Sequence, residues 1–233
     1  MNKIKFIGLL LSLFIFAFAA TTQAQDPAKT DASKTAAQEK TTPTTATATA
    51  KDYEDLLGKL KKGDTSIDFK KLRFAFTETK NYSPYGNRSE DSSKMLQFYR
   101  EKNYKEALKS AEKVLETSYV DLNAHFVAAL SNNETGNAEK AEFHKKVYLG
   151  LINSILSGRD GKSAKTAFEV IYVPEEYALL NYLGYRRGSQ ALITENGSKF
   201  DVLTVTNPEN NETLKLYFNI DTVWKGYEKV FGK

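Results

Sequence analysis

The sequence predicts an α+β protein, an N-terminal helical layer followed by a small antiparallel sheet with packed helices, on three observations. From Ser93 to Leu156 apolar residues recur at helical spacing. After Gly161 the pattern changes to short runs rich in Val, Ile, Thr, Tyr and Phe, broken by turn residues, as strands require. The chain up to Ala50 holds one continuous apolar run and one low-complexity stretch, and neither has the pattern of a folded core.

Residues 1–24 read as a secretory signal peptide. Lys3 and Lys5 form its basic start, Phe6–Ala20 its apolar centre, and Thr22–Ala24 the small-residue approach to a cut before Gln25. The apolar run is shorter than the ~20 residues that span a bilayer comfortably. Residues 25–50, dominated by Thr, Ala and Lys, contain no large apolar side chain. Burial cannot offset the entropy of ordering such a segment, so it is expected to be a disordered linker. The expected location is outside the cytoplasm, periplasmic or secreted, with no stable membrane insertion once the signal is cleaved.

The absence of cysteine excludes disulfides, thiolate metal sites, a cysteine nucleophile and a lipid on a cleavage-site cysteine. Roughly 180 residues remain, enough to fold by core burial alone. The formal charge of +4 falls to +2 when Lys3 and Lys5 leave. Lys and Glu alternate along the chain without clustering, so nucleic acid is not an expected partner.

The folding part divides into a helical region, 51–160, and an α+β region, 161–233, which together are short enough for one compact domain. Tyr53, Leu56, Leu57 and Leu60 predict a first helix that ends at Gly63-Asp64, and Phe69, Leu72 and Phe76 predict a second. Pro84 and Gly86-Asn87 break the pattern, with Tyr82 and Tyr85 on either side of the proline. Three helical stripes follow: Ala107, Leu108, Ala111, Val114 and Leu115; then Leu122, Phe126, Ala129 and Leu130; then Ala141, Tyr148, Leu151, Ile152 and Ile155.

An offset of 34 residues, the tetratricopeptide period, maps Leu96 to Leu130, Asn103 to Asn137, Ala107 to Ala141 and Leu115 to Leu149. "NYKEAL" and "GNAEKA" resemble that family's entry to its second helix, with Asn103 and Asn137 at the N-cap. Val114 and Tyr148 depart from the small residue usual at their position. The resemblance implies two tetratricopeptide-like helix pairs.

Beyond Gly161, "TAFEVIYV" reads as a strand and "PEEYALLNYLGY" as a short helix. "SQALITE", "KFDVLTVTN" and "TLKLYFNI" read as strands, with Asn196-Gly197 as a tight hairpin turn between the first two. Asp221 is expected to cap a last helix that carries Val223, Trp224, Tyr227 and Phe231.

The stretch "SGRDGKS", residues 157–163, ends in Gly-Lys-Ser. A phosphate-binding loop of the Walker type places a glycine five residues before its Gly-Lys pair, and here that position is Leu156. Such a loop also joins a strand to a helix, whereas here a helix precedes and a strand follows. Gly158 and Gly161 therefore read as a helix terminator and a turn glycine.

Glu175 and Glu176 after Pro174 suit the positive end of a helix. Neighbouring glutamates on a helix point roughly 100° apart, which does not make an acid/base pair. His125 and His144 are the only histidines and lie beside apolar stripes. Facing helices can bring them together, but no third ligand at metal-site spacing accompanies them. No G-x-S-x-G nucleophile elbow occurs. No catalytic residue, metal or cofactor is assigned.

"LRFAFTETKNYSPYGN", "DLNAHF", "SGRDGKSAKTAFEVIYVPEEYALLNYLG" and "DVLTV" before "LYFNID" together resemble the family known as domain of unknown function 4919, over about Phe69 to Asp221. Its distinctive parts are the Y-x-P-Y-G turn and the segment from Asp160-Gly161 to Glu175-Glu176-Tyr177. The resemblance implies exported bacterial proteins and no known activity. Its motifs mark Arg73, Tyr82, Tyr85, His125, Gly161, Ser163, Thr166, Glu175, Glu176 and Tyr177 as candidate binding positions.

Two functions follow as expectations. Stacked helix pairs and the lack of a catalytic constellation favour a non-enzymatic binding or scaffolding module of the cell envelope, with a protein or peptide partner. The alternative is an envelope hydrolase that uses a cleft between the helical and sheet regions.

Overall fold

The computed structural model describes residues 48–232. The expected signal peptide and most of the expected linker lie outside the described residues. The first helix, α1 (Ala50–Lys61), begins at the end of the expected linker, because Thr49 and Asp52 form a capping box across its first turn. Asp68 caps α2 (Phe69–Phe76) and Ser89 caps α3 (Glu90–Arg100). Short turns then join α4 (Tyr104–Thr117), α5 (Leu122–Glu134) and α6 (Ala138–Leu156). Asn103 and Asn137 occupy the N-cap positions of α4 and α6, as expected, but neither side chain makes a capping bond.

After α6 the chain makes a 3-10 turn (Ala164–Thr166), then β1 (Phe168–Glu169) and α7 (Pro174–Tyr182). A meander of β2 (Arg186–Glu195), β3 (Ser198–Thr206) and β4 (Thr213–Asn219) leads into α8 (Asp221–Phe231). The sheet order is β1-β4-β3-β2. The sheet is mixed, in place of the antiparallel one expected: β2, β3 and β4 are antiparallel, and β1 runs parallel to β4. Asn196 and Gly197 adopt φ of 51° and 83°, the conformation of a tight hairpin turn.

Two further expectations are corrected. The strand expected over "TAFEVIYV" is only Phe168–Glu169. Val170 N–H still bonds Asn219 O, but Ile171 N–H turns to the Glu175 carboxylate and the ladder stops there. Asp221 does not cap α8. Ile220 holds that position, and Asp221 Oδ1 accepts the Lys199 N–H at 2.8 Å, which ties the start of β3 to the helix.

The larger core joins α1, α2, α6, α7 and α8 to β1, β3 and β4 through residues such as Leu60, Leu72, Ile152, Leu179, Leu203 and Phe218. A second core lies among α3, α4 and α5, where Ala107 and Ala111 meet Ala124 and Ala128. That close packing of small residues corrects the stripe expected on α5. Ala124, Val127 and Ala128 face inward beside Leu122, while Phe126 remains 38% exposed. A helix apolar nearly all round has no single stripe to read.

Candidate functional site

Five of the ten motif residues, Arg73, Tyr82, Glu175, Glu176 and Tyr177, gather at the start of α7. Arg73, from α2, is fully buried against the fully buried Glu175. Its Nε donates to Glu175 Oε1 at 2.7 Å and its Nη2 to Oε2, a two-pronged ion pair. The remaining guanidinium donors reach Ser154 Oγ at 3.2 Å and Glu169 O at 2.9 Å, and Ile171 N–H adds a 2.8 Å bond to the carboxylate. Tyr82 donates its hydroxyl to Ile171 O at 2.6 Å, and Val173 N–H bonds Pro84 O at 3.2 Å. Gly86, at φ +72°, lies so close to Pro174 that an added Cβ would stand 2.8 Å from its ring. The Y-x-P-Y-G turn is thus clamped to the α7 entrance.

Glu176, one residue on, is also fully buried, and neither of its oxygens meets an N–H or hydroxyl donor among the described residues. It faces the carboxyl of Asp201 on β3, and two carboxyl groups can bond only if one keeps its proton. Burial first, then the Asp201 charge, push Glu176 up to about 9, so it is the acid of the pair. Burial raises Asp201 as well, opposed by bonds from Glu176 and Gln190. Tyr177 donates to Gln190 Oε1 at 3.2 Å, and the Arg187 guanidinium lies 4.9 Å from the Tyr177 ring centroid. With both glutamates sealed from solvent, neither is open to a substrate.

His125 and His144 do meet, Nδ1 to Nδ1 at 3.0 Å. His125 Nε2–H donates to Tyr119 O at 3.0 Å, which makes its Nδ1 the acceptor and His144 the donor. Burial and the neighbouring imidazole hold His125 down at about 3; burial and Lys140 hold His144 at about 4. Both rings are neutral at pH 7. Among the described residues, no three His, Cys, Asp or Glu side chains gather as metal ligands would.

Gly161, Ser163 and Thr166 form a closed loop. Gly161 N–H bonds Thr166 O, Gly161 O accepts from Tyr217 N–H on β4, and Ser163 Oγ caps the 3-10 turn. Gly161 has φ +68°, and an added Cβ would stand 2.2 Å from the Phe168 ring. Its hydrogen-bonding groups are spent on this turn, and no long helix opens from it.

Tyr85 is set apart from these clusters. It lines a surface cleft of about 460 Å³ between the Pro84 turn, the start of α3 and the end of α4. The buried rings of Phe76 and Tyr172 also line it, with Ser118, Arg88 and Lys113.

A band of aromatic rings on the helical layer includes none of the ten candidate positions. Five rings from five consecutive helices form a continuous band: Tyr104, Tyr99, Phe126, Tyr148 and Tyr182. Successive ring centroids are 6.4, 5.9, 5.7 and 6.2 Å apart. Phe126 and Tyr182 are each 38% exposed, and the other three rings are half-buried. The sequence signal for the band is the alanine pair of α5, which claims the inward face and turns Phe126 outward.

The model of the family described as Domain of unknown function (DUF4919) matches residues 42–229. No curated protein and no solved structure matches the chain.

Proposed function

The chain belongs to the DUF4919 family, and we propose that this member is a non-enzymatic binding module of the cell envelope that holds an extended segment of a partner protein on its helical layer. The five-ring band across α3–α7 is the observation that carries the reading. Aromatic rings offer large contact area for little loss of side-chain freedom, and tyrosine adds a hydroxyl at the rim. A band laid across successive helices follows the geometry by which tetratricopeptide-like stacks receive a partner segment. The burial of Glu175 and Glu176 removes the acidic groups that a hydrolytic reading would use. Export, to the periplasm or beyond, is part of the proposal and rests on the N-terminal pattern of Lys3, Lys5 and Phe6–Ala20.

The test is selection from a displayed peptide library with the mature protein as bait, repeated with the double variant Phe126→Ser, Tyr182→Ser. Wild type enriches peptides with spaced aromatic or apolar anchors, of about micromolar Kd. The double variant, still folded by circular dichroism, loses at least about tenfold in affinity. Equal binding by both proteins, or no enrichment by wild type, overturns the reading. Cell fractionation of the tagged full chain tests export separately.

A further inference from the structure

We propose that the cleft beside the Pro84 turn is a second binding site, independent of the aromatic band, for a small hydroxylated organic acid of the size and chemistry of a uronic acid. Its volume of about 460 Å³ falls in the range of about 300–1,000 Å³ typical of small-molecule sites. Phe76 and Tyr172, each 2% exposed, give it an apolar floor of two rings.

Charge selects the acid. The Arg88 guanidinium lies 4.5 Å from the Tyr85 ring centroid, held in place at the cleft wall, and no carboxylate pairs with it among the described residues. Lys113 reaches Asp91 Oδ1 at 3.3 Å, so the lining holds two cations and one carboxylate and carries an excess positive charge. A ligand carboxylate between Arg88 and Lys113 makes charge-assisted bonds, about twice the strength of neutral ones.

A hydroxyl on the cleft wall selects the polyol. Ser118 lines the cleft, and its Oγ, reachable from solvent there, can exchange a hydrogen bond with a ligand hydroxyl. Asn81 and Ser83 on the cleft wall provide further amide and hydroxyl groups.

The experiment titrates the mature protein with D-glucuronate, D-glucose and inorganic phosphate, followed by backbone amide shifts. Glucuronate is expected to saturate with shifts at Ser118 and Tyr172. Glucose, which has the ring without the charge, binds at least about tenfold more weakly, and phosphate produces no saturable shift there. Arg88→Gln lowers glucuronate affinity about tenfold and Ser118→Ala about fivefold, with thermal midpoints measured on both variants to show that the fold is kept. Equal binding of glucose and glucuronate, saturation by phosphate, or no saturable shift with glucuronate up to roughly 50 mM each overturns the proposal.

Discussion

Glu175 and Glu176 stand side by side in the first turn of α7, both sealed from solvent, yet their charges are handled in opposite ways. Glu175 meets a guanidinium fork and a backbone N–H, so its charge is matched on the spot. Glu176 meets only another carboxyl and keeps its proton. The helix turn sends one side chain toward α2 and the other toward β3, and what each finds there decides its protonation. A pair of neighbours in sequence is thus an ion pair in one direction and a shared proton in the other. The first is vulnerable to the loss of its partner, the second to base.

The largest effect is expected at the ion pair. Arg73→Met leaves Glu175 buried and uncompensated, at a cost of about 3–5 kcal/mol in urea unfolding. Adding Glu175→Leu to that variant recovers most of the loss, since apolar residues of similar size replace buried ion pairs well. A double variant as unstable as Arg73→Met alone would show that the cavity and not the orphaned charge is responsible.

The next effect is alkaline. An ordinary glutamic acid titrates near 4.5 and Glu176 near 9, so the folded state holds a proton that the unfolded state releases between those values. The stabilising contribution is complete below about 4.5 and is lost as pH rises through about 9, at up to about 1.4 kcal/mol per pH unit from this one group. Thermal midpoints measured from pH 6 to 9 should fall steadily.

Glu176→Gln separates that titration from the contact. Its amide donates to Asp201 at every pH and nothing there titrates, so the variant matches wild type near pH 4.5, exceeds its stability by up to about 3 kcal/mol at pH 7, and has a flattened alkaline slope. A slope unchanged in this variant would assign the alkaline loss to another group.

The smallest effect belongs to the histidine pair, a third way of burying polar groups, with both rings neutral. Their folded values near 3 and 4 lie below the ordinary 6.5, so their contribution is present above about 6.5 and is lost as pH falls toward 3. His144→Gln keeps an N–H donor for His125 and removes one titrating ring. The midpoint of acid unfolding should move down by about half a pH unit, read by tryptophan fluorescence.

The regular parts of the fold were legible because their patterns have one reading. The α4 stripe from Ala107 to Leu115 is buried as its spacing requires, apart from the half-buried Leu108. Asn196-Gly197 makes the hairpin that its backbone preference dictates. Where a segment is apolar on every side, periodicity carries no direction. Phe126 on α5 and the buried run Val170–Tyr172 both turned out differently for that reason.

Legibility of the buried charges differed by residue. Arg73 sits four residues after Phe69 and three before Phe76, a cation in the inward stripe of α2 that asks for a buried anion. Asp201 alternates with Leu203 and Val205 on one face of β3, so its inward position was readable, yet its partner was not. Pairing across elements depends on how a helix is docked, and no local pattern encodes that.

The Arg73–Glu175 contact spans 102 residues of chain. A ribosome makes the N-terminal part first, at about 5–20 residues per second, so α2 emerges several seconds before its anion exists. During that interval the packing of α2 on the later elements cannot be completed. The final docking step therefore waits for the second half of the polypeptide, and a nascent chain stays open until α7 has been synthesised.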